Sequence, residues 1–266
     1  MSHKAKYAGG ALGAFHHELM GDPILFETFR TDKFASGWLE EARKIWLNRF
    51  HTEFRSVQIM NRFLEEILGA GDPLDVYAGA VDMVQDEIRH AVLCAEMCRA
   101  LGQDPVFPTP LVMPLPTGYI QAPMAERALS TAITMLGISE TLSSGFIVDL
   151  QERCKEPVVR DVLARTMEDE EGHHGFGWAY IKASLGRFPK ETLADWRYLV
   201  QQTLAPHHQF VEQTLRDLPP TQKHLDAWPD EEYIPLGMFS PQRQALVFLR
   251  TFEHALAPKL REMSLL

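Results

Sequence analysis

Residues 168–178 read EDEEGHHGFGW: three glutamates, an aspartate and two adjacent histidines within seven positions, followed by Gly-Phe-Gly-Trp. The first part suits metal ligation and the second suits helix packing. Two ligand frames overlap in it, Glu170 with His173 and Glu171 with His174. Helical residues three apart differ by about 300° of rotation, about 60° the short way, and by about 4.5 Å of rise, so a Glu-x-x-His pair can reach one ion. One such pair arises often by chance. The chain carries a second in QDEIRHA, where Glu87 and His90 repeat the spacing. That copy reads Asp86-Glu87-x-x-His90, and the matching later frame is Asp169-Glu170-x-x-His173. Periodicity selects the same frame. Leu163, Thr166, Met167, Glu170, His173, Gly177 and Ile181 share one stripe, largely apolar apart from the ligands, whereas the Glu171 stripe takes in Glu168 and Gly175.

Helical periodicity dominates the rest of the chain. A long helix is predicted from Ser36 to Leu68, ending at GAGDP. Asp72 as N-cap with Pro73 in the first helical position opens a second, running to Leu101. The stretch GQDPVFPTPLVMPLPTGYIQAP holds six prolines and is expected to be an extended crossover with no helix. A third helix covers about 124 to 155, and Pro157 opens a fourth that ends near Gly186. Two further helices, about 189 to 217 with a kink at Pro206 and about 240 to 262, are expected at the periphery. The first 35 residues read as irregular or as holding a short helix. The layout is that of an all-α single domain: a ferritin-like four-helix bundle with a long crossover and additional C-terminal helices.

Bulk composition narrows the function classes. The net charge of −10 over 266 residues leaves no basic surplus for a nucleic-acid partner. Three cysteines are too few for a disulfide framework; Cys94 and Cys98, four apart, read as buried thiols before a soft-metal pair. The N-terminus has no signal-peptide pattern, so a cytoplasmic location is expected. Residues 128–148, ALSTAITMLGISETLSSGFIV, match the about 20 residues a membrane span needs, but they are rich in Ser and Thr and carry Glu140 centrally. A helix buried on all sides inside a bundle is the expected explanation, with no membrane partner.

A lone glutamate in such surroundings needs a purpose. A dinuclear site takes one further carboxylate from each remaining helix. Glu140 serves for the third helix, and Glu53, in RFHTEFRSVQIM with Phe50, Val57 and Met60 on its face, serves for the first. Glu65 and Glu66 lie near that helix's end and are expected to be solvated. Glu53 to Glu87 spans 34 residues and Glu140 to Glu170 spans 30, so the halves read as pseudo-repeats. Buried carboxylates without compensation are driven toward protonation. Carboxylate with imidazole suits iron or manganese, and zinc less well. Asp86 and Asp169 are expected to accept hydrogen bonds from the ligand histidines, and His174 borders the same face.

The segments EFRSV, DEIRHAVLC, SETLSSGF and DEEGHHGFGW resemble the ferritin-like di-iron carboxylate superfamily over residues 45–185. The resemblance implies two iron ions, with manganese or a mixed manganese–iron pair compatible. It implies Glu53 and Glu140 as terminal ligands, Glu87 and Glu170 as bridges, and His90 and His173 as one imidazole per iron. Rubrerythrin-like proteins add paired C-x-x-C motifs, which are absent here. Arylamine N-oxygenases add a histidine where this chain has Thr166. The activity implied is that of an O2-dependent oxidoreductase acting on a small organic substrate by hydroxylation or N-oxygenation, with an external electron donor and an allowed homodimer. A ferroxidase, iron-storage or peroxide-detoxifying protein is the alternative. Gly137, Ser143 and Ser144 either leave room for a cavity beside Glu140 or let the helices approach closely. The pairs His16–His17 and His207–His208 receive no role.

Overall fold

The computed structural model describes residues 3–266, with the side chain of Glu171 outside that description. Every regular element among the described residues is helical, apart from one isolated bridge between Lys4 and Val106. The chain is therefore all-α. It divides into two compact units, Met1–Ala122 with Lys155–Arg165, and Pro123–Cys154 with Thr166–Leu266.

The first unit holds α1 (Gly10–Met20), α2 (Ser36–Ala70), α3 (Leu74–Ala100) and α4 (Thr117–Gln121). Helix α2 stops because Gly71 adopts a left-handed conformation, φ 74° and ψ 32°, open to glycine without strain. The N–H groups of Gly71 and Asp72 then close on the carbonyls of Leu68 and Ile67 at 3.1 and 3.0 Å. That closure changes the start of α3. Asp72 is committed to ending α2, so Pro73 takes the N-cap position and Leu74 is the first helical residue. The short turn forces α2 and α3 to run antiparallel. Trp46, Phe50, Met60, Phe63 and Ile67 of α2 are buried, as are Met83, Leu93 and Met97 of α3.

The crossover is not extended throughout. No proline lies between Pro116 and Pro123, and the intervening TGYIQ closes into α4. Gln58 pins the earlier part to α2: its amide donates to the Leu111 carbonyl at 2.8 Å and its Oε1 accepts the Met113 N–H at 3.0 Å. Helix α4 brings the Tyr119 hydroxyl onto the Glu66 carboxylate. Glu66 is consequently buried, with Arg62 Nε 3.8 Å away, and not solvated as expected; only Glu65 is exposed.

In the second unit α5 (Met124–Thr131) continues through a π-helical stretch, Ala132–Ser139, into α6 (Glu140–Gln151). Met124–Gln151 is one helix long and apolar enough to cross a membrane, and half of its most apolar stretch is buried inside the fold, not all of it. A five-residue link leads to α7 (Pro157–Leu185), whose residues from Thr166 onward belong to this unit. Then come α8 (Leu193–Leu215) with Pro206 inside it, α9 (Pro241–Thr251), a second π-helical stretch Phe252–Leu256, and α10 (Ala257–Glu262). His207 and His208 both lie 5.3 Å from the Phe248 ring centre, and burial lowers the His207 pKa, so the pair packs as aromatic rings.

Asp149 ties α6 to α9. Arg243 Nε and Nη2 donate to Asp149 Oδ2 and Oδ1 at 2.7 and 2.8 Å, with both side chains buried. Arg250 Nη2 donates to Asp149 Oδ1 at 3.2 Å. Arg243 Nη1 donates to the carbonyls of Leu225 and Trp228. Removing the carboxylate of a buried pair leaves the guanidinium uncompensated, at a cost of about 3–5 kcal/mol. Asp149→Ala is thus expected to lower unfolding free energy by about 3 kcal/mol or more, and denaturant titration followed by circular dichroism checks it.

Candidate functional site

Each unit gathers a carboxylate–imidazole cluster. In the first, α2 supplies Glu53 and α3 supplies Glu87 and His90, and one ligand atom from each lies within 4.8 Å of the others. His90 Nδ1 is 4.0 Å from Glu53 Oε2 and 3.9 Å from Glu87 Oε2. His90 and Glu87 are almost completely buried, and the Glu53 side chain is 22% exposed. In the second unit, Glu140 begins α6 directly after the π-helical stretch, and His173 projects from α7. His173 Nδ1 is 3.9 Å from Glu140 Oε2. Glu170, one turn before His173, is buried to the same degree. On α7 the inward frame is therefore Glu170–His173, while Glu168 and Gly175 are exposed. Glu171, the carboxylate of the other frame, has its side chain outside the described residues.

These separations are informative. An N–H···O hydrogen bond ends near about 3.2 Å, so the atoms of all three pairs are too far apart for one. Two donors on a single ion, each at about 2.1 Å, can be no more than about 4.2 Å apart. The observed 3.9–4.0 Å falls between these limits. The first cluster holds two carboxylates and one imidazole, with the Arg49 guanidinium in electrostatic range of Glu53. In the second, His173 faces Glu140, and Glu170 is buried one turn before it. The buried Glu and His groups fit a metal ion.

The outlying candidates occupy less central positions. Asp86 accepts from Arg89 Nη1 at 2.7 Å and is mostly buried. Asp169 is partly buried. The His174 Nδ1–H donates to the Glu170 carbonyl at 2.9 Å, which fixes its ring and leaves Nε2 as its working nitrogen. Cys94 and Cys98 are free and buried. Burial pushes the Cys98 thiol up to about 12 and raises Cys94 well above the usual thiol range, with Glu53 adding to the latter. Neither is poised to act as a thiolate ligand.

A cavity of about 830 Å³ in the second unit is lined by the chain neighbours of the second cluster and not by Glu140, Glu170 or His173 themselves. Its floor includes Thr141 and Ser144, one and four residues past Glu140, with Met167, His174 and Trp178 of α7. Of the three small residues expected to leave room here, only Ser144 lines it. At Gly137 a Cβ would meet Ile181 Cδ1 at 2.8 Å, so that glycine serves packing. The other missed lining residues, Arg250, Thr251, His254 and Lys259, come from the C-terminal segments. Only Trp178 had a local signal, at the end of the stretch 168–178. In the first unit, an apolar cavity of about 190 Å³ is lined by Phe50, Phe54, Val57, Ile88, Ala91 and Phe107 among others, neighbours of Glu53, Glu87 and His90.

Two contacts hold Glu140 and His173 in register. A Cβ on Gly177 would lie 2.5 Å from the Leu136 carbonyl oxygen, so α7 approaches the π-helical backbone as only glycine allows. Thr141 Oγ1 donates to the Gly137 carbonyl at 2.6 Å and accepts from Trp178 Nε1 at 3.0 Å. Comparison with protein-family models, curated proteins and solved structures gives no match.

Thr141→Val keeps the shape but leaves the buried indole N–H without its acceptor. The expected loss is about 1–3 kcal/mol, read by thermal unfolding. Gly177→Ala must separate two backbones and is expected to weaken metal retention in the second half, measured by metal content after dialysis.

Proposed function

We propose that this protein is a non-haem di-iron, O2-dependent oxidoreductase with a ferritin-like bundle fold, acting on a small organic substrate in the cytoplasm. On this reading Glu53, Glu87 and His90 hold one ion and Glu140, Glu170 and His173 hold the other. The observation that supports the choice of an organic substrate is the cavity of about 830 Å³ lined by Thr141 and His174, the chain neighbours of Glu140 and His173. Small-molecule sites occupy about 300–1,000 Å³. A protein whose substrate is iron itself needs an ion path and no such chamber. The matched geometry of the two halves, with histidine Nδ1 3.9–4.0 Å from a glutamate oxygen in each, supports a pair of equivalent ions.

The bound iron pair would supply the electrons that activate dioxygen, and an external donor would restore them. This chain's residues do the rest. Trp178, Met167 and Val148 give the substrate an apolar wall and restrict water. Thr141, anchored to the Gly137 carbonyl, holds Trp178 in place. His174, with Nδ1–H committed to the Glu170 carbonyl, offers Nε2 as a proton acceptor at the cavity wall.

Metal loading tests the ligand set. Anaerobic Fe(II) titration is expected to give two irons per chain. Glu140→Ala is expected to abolish dinuclear loading and Glu171→Ala to leave it intact; the reverse outcome would show the other frame to be the ligating one. A brief oxygen pulse with rapid optical recording then separates the chemistries. A transient absorption band whose decay quickens with an added organic compound supports the oxygenase reading, and prompt formation of ferric mineral supports iron storage.

A further inference from the structure

The charges around the large cavity name the substrate class. Resting on the oxidoreductase reading above, we propose that the substrate is a small organic carboxylate with an apolar body. The body lies against Trp178 and Met167, and the carboxylate turns toward Arg250 and Lys259.

The cavity lining is of two chemical kinds. Val148, Met167 and Trp178 are apolar, and Trp178 is buried. Arg250, His254 and Lys259 come from α9 through α10, and Glu152 is the single acid among the described lining residues. With both histidines neutral that lining holds one net positive charge, on a chain whose formal net charge is −10. A local charge of the opposite sign, placed at a cavity, concentrates anions.

Arg250 is not fully occupied where it stands. Its Nη2 donates to Asp149 Oδ1 at 3.2 Å, but Arg243 already takes both oxygens of Asp149 at 2.7 and 2.8 Å. Arg153 adds a third guanidinium 3.7 Å from Oδ2. With Asp230 in electrostatic range of Arg153, two carboxylates serve three guanidiniums, which leaves one positive charge over. Arg250, whose side chain is 38% exposed, therefore keeps donors and charge to offer to a ligand. A guanidinium fork matches a carboxylate in two parallel hydrogen bonds, which fixes orientation as well as adding affinity. Lys259 is exposed and adds a mobile positive charge at the same rim. A neutral ligand would leave both cations unused, and a ligand without an apolar body would leave the Trp178 wall wet.

Calorimetric titration with 3-phenylpropionate and with its uncharged isostere 3-phenylpropanamide tests this on the metal-loaded full chain, its iron content being measured in the same sample. The acid is expected to bind about tenfold or more tightly than the amide. Arg250→Gln and Lys259→Gln are each expected to shrink that preference. Lys259→Gln leaves the Asp149 cluster untouched, so its effect does not depend on any loss of fold. Equal binding of acid and amide, a preference that survives both substitutions, or no saturable binding of either compound overturns the proposal. Two irons per chain without acid selectivity would remove this inference alone. Acid selectivity without iron loading would remove the oxidoreductase reading and leave the anion site standing.

Discussion

A carboxylate removed from water costs several kcal/mol unless something replaces its hydration. This chain buries Glu87, Glu140 and Glu170 until only 2 to 3% of each remains exposed. Leucine or methionine at those positions would pack a helical core at no such cost. The burial of these carboxylates is therefore the constraint on which the remaining features depend. The histidines also stand too far from the glutamates to hydrogen-bond through the paired atoms, so the arrangement is poor as an ion pair and good as a ligand set. The sign of the charge required and the spacing of the donors lead to the same conclusion by independent routes.

Holding such groups in register makes demands on the helices around them. In the second unit the π-helical stretch Ala132–Ser139 precedes Glu140, and π-helical turns insert an extra residue into a helix and re-aim the side chains of the next turn. Gly177 lets α7 come against that stretch, with Leu136 where a side chain would otherwise be. Thr141 then ties the two helices through Gly137 and Trp178. These contacts place a carboxylate and an imidazole from different helices within 4 Å of each other. They also leave the neighbouring turn of α6 facing open space where Thr141 and Ser144 line the cavity.

Much of this was legible in the sequence because it depends on local rules. Gly71 and the proline after it mark the α2–α3 turn, Pro157 marks the start of α7, and helical spacing alone pairs Glu87 with His90 and Glu170 with His173. The stripe through Leu163 and Ile181 selects the buried frame for the same reason. What stayed hidden depends on partners distant in sequence. Nothing near Glu66 announces Tyr119, 53 residues away, so a buried glutamate reads as a solvated one. Asp149 looks like an ordinary acid at a helix end until Arg243, 94 residues on, takes both its oxygens. The prolines of the crossover hid α4, because their number suggested a break throughout while their spacing left a gap long enough for one turn. The π-helical stretches have no signature in hydrophobic periodicity, since residues of either helix type fill them.

The two halves match in their ligands and differ in what surrounds them, and the difference is where chemistry would be distinguished. Near Glu53 the walls are mostly phenylalanine, valine, isoleucine and alanine, with Lys6 and Tyr7, around about 190 Å³. Beside Glu140 the chamber is about four times larger and has a cationic rim on helices outside the pseudo-repeat. On the proposed reading both helix pairs carry ligands, and the cationic residues lie on segments that follow the second pair. Specificity for an organic molecule then has one place to arise. Arg250 and Lys259 sit on elements free to vary without disturbing a ligand, whereas Thr141, Gly177 and Trp178 are bound by the packing that positions Glu140 and His173. On the proposed reading, reaction type is constrained by the duplicated helices and substrate choice by the appended ones. Changes in the α9–α10 segment should therefore alter what is bound well before they alter how many ions the bundle holds.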